Sequence, residues 1–301
     1  MPGKTLVTGA TGYIGGLLAS QLVAENVSIR VAGRRTALLE ERFPGVDAAA
    51  LDVLDPARLH EALAGIEVAY YLIHSMEQGA TDFAERDRVA ARNFGKAALA
   101  AGVRRVVFLG GLGDDSDTLS HHLSSRHETG AILAEHGPPL IELRAGIVIG
   151  AGSASFQMLR DLVHRLPAMV TPKWVDTRAQ PIGVDDVVAY LSAARDVAAE
   201  EHHVIVEIGG ADVLTYRELM KRFALAGGRR APLIVPVPVL TPRLSSLWCG
   251  LVTAVPVAIA RPLIDGLKNE VVVRDQVAAS LFPNVHPMSF DEAVKRALAG
   301  R

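Results

Sequence analysis

One cysteine, Cys249, stands in a chain of 301 residues, so no disulfide can form within it. That scarcity fits a reducing compartment, and a cytoplasmic location is the expectation. The first residues run straight into an apolar strand, so no signal peptide is expected either. Charge of one sign is equally scarce. The 31 Lys and Arg are matched by 33 Asp and Glu, for a formal net charge of -2, and no basic stripe is present. Nucleic acid is therefore not expected as the main partner. No internal repeat, low-complexity tract or flexible linker is visible, so a second domain on a tether is not expected. Apolar residues are plentiful at 50%, enough for a sizeable core without metals or disulfides. This length allows one large α/β unit or two modest domains.

The stretch KTLVTGATGYIGG, Lys4 to Gly16, reads as a short apolar strand, a glycine turn and the start of a helix. Gly9, Gly12 and Gly15 are three residues apart. Gly9 permits the sharp turn, Gly12 lets the backbone approach a ligand, and Gly15 lets the helix pack on the strand. The helix amino terminus then aims free amides and the positive end of its dipole at the turn, which suits a pyrophosphate. Thr11, Tyr13 and Ile14 complete the turn and join the glycines as candidate nucleotide-binding residues.

VSIRVAG follows as a second strand. An NAD site usually places a carboxylate at its end, for the adenine ribose. This chain places Gly33, Arg34 and Arg35 there. Two guanidinium forks suit a 2′-phosphate, so NADP(H) is the expected cofactor. A third strand leads to Asp52 and Val53, expected near the adenine, and Asp55 before Pro56 reads as a helix N-cap. A fourth, EVAYYLIHSM, ends in Ile73, His74 and Ser75, also expected at the cofactor. A helix from about Asp82 to Ala101 precedes the strand RRVVFLGGLG. The helix HHLSSRHETGAILAEHG and the strand PPLIELRAGIVIG come next. This alternation specifies a doubly wound parallel sheet, a Rossmann fold, with the cofactor at the carboxyl ends of its strands.

The rhythm breaks at about Ala151. Residues 1–150 are read as the nucleotide-binding domain, with a return strand near 180–208, and residues 151–301 as a smaller lobe packed on it. Apolar residues concentrate between Ala231 and Ile264, and no charge occurs from Leu244 to Ala260. Pro256, Ser245, Ser246 and Gly250 weaken a membrane-spanning reading. The stretch is read as apolar helices closing over a ligand cleft, with peripheral membrane contact as a lesser alternative.

TGATGYIG resembles the extended and atypical short-chain dehydrogenase/reductase superfamily, and LDVLDP, NFGKAALAAGV before RRVVFLGG, ELRAGIVIG and QPIGVDDVVAYL continue the likeness. YYLIHSM, GSASFQMLR and LPAMVTPKWV are similar to bacterial proteins of its NAD(P)H-binding, NmrA-like branch. The resemblance covers nearly the whole chain.

It implies an active site of Tyr and Lys four residues apart on one helix, with Ser or Thr at the end of the fifth strand. The spacing puts both on one helix face, where the cation lowers the tyrosine pKa and holds the nicotinamide ribose. Here His122 stands at the tyrosine position, Arg126 at the lysine position, and Leu109, Gly110 and Gly111 where the hydroxyl belongs. All three positions depart from the pattern. Two readings follow. Either His122 donates the proton while Arg126 holds the ribose, or the chain binds NADP(H) without turning it over, as a sensor, regulator or assembly factor. His121 and His127 are read as surface histidines rather than metal ligands, and Glu128 and Asp114 to Asp117 as solvated charge. Arg144 and Ala145 are expected on the floor beside the nicotinamide, and Asp185 or Asp186 to cap a helix. Ser153, Ser155, Phe156 and Met158 are expected to face a substrate, with Trp174 and Trp248 making its pocket apolar. The expected activity is reduction of an apolar substrate, a quinone or prenyl-like molecule. A nucleotide-sugar epimerase or dehydratase is disfavoured by the few polar residues in the second half.

Overall fold

The computed structural model describes residues 3–73, 83–114, 119–236, 255–256 and 264–300. β1 (Lys4–Thr8) is buried on both faces: Leu6 belongs to the core on one side of the sheet and Val7 to the core on the other. Such a strand must be covered twice, which is the condition for a parallel sheet with helices on both faces. β2 (Ile29–Gly33), β3 (Asp47–Ala50), β4 (Ile66–Tyr71), β5 (Arg105–Gly111) and β6 (Leu140–Ala145) follow. Four short strands come next: β7 (Val148–Ile149), β8 (Ala168–Thr171), β9 (Arg178–Ala179) and β10 (Ile182–Gly183). β11 (His203–Ile208) then returns to pair with β6.

The seven-stranded sheet has the order β11-β6-β5-β4-β1-β2-β3, and every pairing in it is parallel. The order reverses at β1, between β2 and β4, where a doubly wound sheet opens a crevice at its carboxyl edge. Thr8 holds that edge together. Its hydroxyl donates to the Tyr70 carbonyl at 2.8 Å and accepts from the Leu72 amide at 3.1 Å.

α1 (Tyr13–Ala24) begins at the glycine turn. α2 (Thr36–Arg42) follows β2, and α3 (Pro56–Leu63) follows β3. The Asp55 carboxylate caps α3 as its sequence suggests, accepting from the Ala57 amide at 3.0 Å. α4 (Phe83–Ala100) lays Ala91, Phe94 and Ala98 against the sheet. Phe94 meets Tyr71 with ring centroids 4.9 Å apart, so Phe94→Ala would cost about 3–5 kcal/mol. α5 (His121–His136) packs beside α4, close enough that a Cβ on Gly95 would stand 3.2 Å from the Gly137 nitrogen.

The second half divides its elements between the sheet and a lobe. α6 (Ala154–Arg165) belongs to the lobe, whereas α7 (Val184–Ala194) packs on the sheet beside α1. Of the return-strand region read near 180–208, only 203–208 joins the sheet. Gln180 and Pro181 lie between β9 and β10, and Ile182 opens β10, which pairs with β7 instead. β12 (Leu214–Thr215), α8 (Tyr216–Ala226) and β13 (Leu233–Pro236) complete the lobe's middle. α8 starts on a capping box in which Thr215 and Glu218 satisfy each other's amides. α9 (Val277–Leu281) and α10 (Phe290–Leu298) end the described chain. The lobe core forms around Phe156, Val175, Phe223 and Val294. Of the apolar stretch Ala231–Ile264, residues 237–254 and 257–263 lie outside the described residues, Trp248 and Cys249 among them. Among the described residues no helix is long and apolar enough to cross a membrane.

Candidate functional site

The turn after β1 takes its shape from backbone constraints. Gly9 has φ +68°, and a Cβ there would lie 2.5 Å from the Leu72 carbonyl oxygen. A Cβ on Gly15 would lie 2.4 Å from the Gly9 carbonyl oxygen, so this glycine serves the close packing of turn on helix. A Cβ on Gly12 meets only the Gly9 oxygen, at 3.1 Å. Its free side is the cradle, open to a ligand. Arg42 braces the turn from behind. Its Nη1 donates to the carbonyls of Ala10 at 3.2 Å and Thr11 at 3.1 Å, and its guanidinium fills the space beside Gly16. Nothing local in the sequence marks Arg42, since it meets the turn across 31 residues.

Gly9, Thr11, Gly12, Tyr13, Ile14 and Gly15 border a cavity of about 1080 Å³. Arg34 and Arg35 border it too, both exposed, and neither has a carboxylate partner among the described residues. Asp52, Val53 and Ile73 complete this end. Asp52 accepts from the Leu54 amide at 3.0 Å, and Asn93, unmarked in the sequence, donates to the Val53 carbonyl at 3.1 Å, which fixes the turn after β3. His74 and Ser75 lie outside the described residues.

At the carboxyl end of β5 the cavity is bordered by Leu109, Gly110, Gly111, His122 and Arg126. His122 and Arg126 are one turn apart on α5, which starts when the Ser120 hydroxyl accepts from the Leu123 amide at 3.4 Å. A Cβ on Gly111 would lie 2.7 Å from Leu123 Cδ2, so a serine there would require the end of the Leu123 side chain to shift. The Arg126 guanidinium donates to the Leu109 carbonyl and lies over the Phe108 ring at 4.6 Å. Burial pushes its pKa down from the usual arginine value, while the Asp87 carboxylate opposes that shift. Arginine starts so high that it remains a fixed cation. Asp87, on α4 and 5% exposed, is a buried acid that the sequence reading passed over.

Several other expectations are corrected. His127 is buried rather than a surface group, with Nε2 2.8 Å from the Gly111 carbonyl oxygen. His121 is exposed, as read. Arg144 does not reach the cofactor cleft. Ala145 borders it, but Arg144 points to the opposite face, where its Nε donates to Glu142 at 2.7 Å. Its neighbour there is a second cavity, of about 530 Å³. Neither Asp185 nor Asp186 caps α7, whose N-cap is Gly183. Asp185 pairs with Arg296 at 3.2 Å, and Asp186 accepts from the Met288 amide at 3.1 Å, so both are structural. Glu128 pairs with Arg88 at 2.9 Å and Asp114 pairs with Arg274. Asp115 to Asp117 lie outside the described residues. Among the described residues no group of three or more His, Cys, Asp or Glu could hold a metal ion.

The rest of the cavity wall is mostly apolar. Ser153, Ser155 and Met158 border it, and the Ser153 hydroxyl is tied to the Val148 carbonyl at 2.8 Å. Phe156 turns away instead, into the lobe core against Phe223 with centroids 5.5 Å apart. Leu162, Met169, Trp174 and Tyr216 carry the wall onto the lobe. Trp174 and Tyr216 meet edge to face, 6.1 Å apart at 89°. A nucleotide-binding turn and an apolar pocket thus open into one space.

Comparison with known proteins agrees with this geometry. Residues 9–139 match the NAD(P)H-binding family. Among curated proteins none matches the chain by sequence. Many solved structures share the fold. The triphenylmethane reductase of Citrobacter sp., solved with NADP(H), is 19% identical with a TM-score of 0.75, over 98% of this chain and 99% of that one. The NADPH-dependent quinone oxidoreductase of Escherichia coli, solved with NADPH, is 21% identical with a TM-score of 0.76, over 98% and 99%. A nucleoside-diphosphate-sugar epimerase of Staphylococcus aureus is 17% identical with a TM-score of 0.77, over 97% and 99%.

Proposed function

We propose that this chain, whose residues 9–139 match the NAD(P)H-binding family, is an NADP(H)-dependent oxidoreductase of the atypical short-chain dehydrogenase/reductase type acting on an apolar, quinone-like substrate. The observation that carries this reading is the single cavity shared by the glycine turn, the arginine pair and the apolar lobe wall. Its volume slightly exceeds the roughly 300–1,000 Å³ of ordinary ligand pockets, which leaves room for a second molecule beside a dinucleotide.

The residues fit the cofactor. The open side of Gly12 admits a pyrophosphate, and the amides at the start of α1 face it. Arg34 and Arg35, free of carboxylates among the described residues, hold the 2′-phosphate, which selects NADP(H) over NAD(H). When bound, NADPH supplies a hydride. His122 supplies the proton that balances it at the reduced oxygen, and is the group on this face able to release one. Arg126, which cannot release a proton near neutrality, positions the ribose from its seat on Phe108 and Leu109.

NADPH oxidation against quinones, aldehydes and ketones tests the reading, alongside calorimetry with NADPH and NADH. Turnover with an apolar acceptor and tighter NADPH binding are the expected results. The quinone oxidoreductase and triphenylmethane reductase that share this fold make those two acceptor classes the first to try. A second reading, a sensor that binds NADPH without consuming it, is favoured by the absence of a hydroxyl at Leu109 to Gly111. Tight NADPH binding with no oxidation of any acceptor would select it.

A further inference from the structure

β8 and β13 pair in parallel, with Ala168 opposite Leu233 and Val170 opposite Val235. Parallel strands are ordinarily covered on both faces. This pair is covered on one. Met169 and Ile234 turn inward to the lobe core. Leu233, Val170 and Val235 turn outward and are 64%, 56% and 44% exposed, and Ala168 is exposed beside them. The period of two puts these four side chains on one face of two strands about 4.8 Å apart, so they form one patch. Apolar residues scattered singly on a surface are ordinary, whereas a contiguous patch marks an interaction site.

Charge and position both bear on what covers it. Arg165 precedes β8, and Arg229 and Arg230 precede β13, so three exposed arginines stand at the amino end of the two strands. Arg229 donates to the His164 carbonyl at 3.4 Å, which places it beside the end of α6. Across residues 160–171 and 226–236 the only carboxylate is Asp161. It is buried and tied to Arg160 at 3.1 Å. Cations beside an apolar face complement lipid phosphates beside acyl chains. A second copy of the chain complements them less well, because Asp176, the acid just beyond the carboxyl end of β8, is already held by Arg217 at 2.8 Å. Val170 belongs to the exposed face and also borders the cavity. The patch and the apolar pocket thus meet at one residue.

We propose that the outer face of β8 and β13 rests on an anionic lipid bilayer, with Leu233, Val170 and Val235 at the acyl boundary and Arg165, Arg229 and Arg230 at the phosphates. Contact of this kind needs no spanning segment, since apolar area and electrostatic attraction add to hold a protein in the interface. The face then brings an apolar substrate dissolved in the bilayer to the pocket, a consequence that rests on the oxidoreductase reading.

The test uses binding rather than turnover. The full chain is floated with vesicles of phosphatidylcholine alone and with vesicles that also contain phosphatidylglycerol. The parent should float with the anionic vesicles at low ionic strength, and added salt should weaken that binding by screening exposed charge. Leu233→Ser combined with Val235→Ser should weaken it by about tenfold or more. Arg229→Gln combined with Arg230→Gln should lower the preference for anionic vesicles by about tenfold or more. Leu99→Ser removes a comparably exposed apolar side chain from α4 and should change binding by less than about twofold. Every variant should melt within about 2 °C of the parent, because the side chains replaced are exposed. The proposal is overturned if the parent does not float with anionic vesicles, if the β13 and arginine variants bind as the parent does, or if Leu99→Ser weakens binding as much as they do. It is also overturned if sedimentation shows a parent dimer that the Leu233 and Val235 substitutions dissociate, which would make the face a contact between copies. Vesicle binding of the expected pattern without NADPH oxidation of any acceptor would uphold the membrane face and refute the oxidoreductase reading. Oxidation of water-soluble quinones by a parent that binds no vesicles would do the reverse.

Discussion

The Arg126 guanidinium carbon lies 4.6 Å from the centre of the Phe108 ring, and the same group donates to the Leu109 carbonyl at the end of β5. A planar, permanently charged fork suits both contacts at once, and a lysine ammonium does not. Arg126→Ala should weaken NADPH affinity by about tenfold or more and lower turnover as well. Arg126→Lys should restore less than half of the lost binding energy. Full recovery with lysine would mean that charge alone matters, and calorimetry on the three proteins decides it.

His122 should behave differently. A general acid contributes roughly 10²–10⁴ to rate without holding the nucleotide. His122→Ala should therefore lower kcat by ~10²–10⁴ and leave the NADPH Kd within about twofold. Steady-state kinetics on the best acceptor, with a parallel binding titration, is the check. An unchanged kcat would remove the histidine from the mechanism even if the chain is an enzyme.

On the proposed reading, Arg34 and Arg35 select the cofactor. NADPH should bind at least ~10-fold more tightly than NADH, since a charge-assisted bidentate contact contributes roughly 1.5–3 kcal/mol. Arg34→Ala should erase most of that difference by weakening NADPH alone. Equal affinities in the parent would refute the 2′-phosphate assignment.

The glycines of the turn should separate binding from folding. Gly12→Val places its side chain in the open cradle, so it should abolish NADPH binding while the chain still folds. Gly15→Ala drives a methyl to 2.4 Å from the Gly9 carbonyl oxygen, so it should lower Tm even without nucleotide. Circular-dichroism melts and calorimetry distinguish the two. Tight NADPH binding by Gly12→Val would show that the pyrophosphate lies elsewhere.

Asp212 predicts a response to acid. Burial alone would raise its pKa, but Arg222 at 2.9 Å and the Phe290 amide at 2.7 Å hold it below the usual carboxylate value. A carboxylate depressed by folding adds stability above its unfolded pKa, and that stability is lost as pH falls through its folded pKa. The link between the start of α10 and the loop before β12 should therefore loosen below about pH 4. Asp212→Asn should lower Tm at pH 7 by about 2–4 °C, with the gap closing toward pH 3. A gap that stays constant across this range would exclude the carboxylate's charge as the cause.

The sequence alone determined the parts of this protein whose causes are local. A positive φ at Gly9, the Asp55 cap on α3 and the apolar strands covered on both faces follow from neighbours in the chain. The Rossmann sheet and the nucleotide-binding turn were legible for that reason. Only the tertiary structure decided what depends on facing direction and on distant partners. Arg144 and Ala145 are adjacent, yet a strand's period of two sends one to Glu142 and the other to the cleft. His127 sits one turn from surface positions but turns inward to Gly111. Arg42 braces the glycine turn and Asp87 stands near Arg126, neither marked by any local signal.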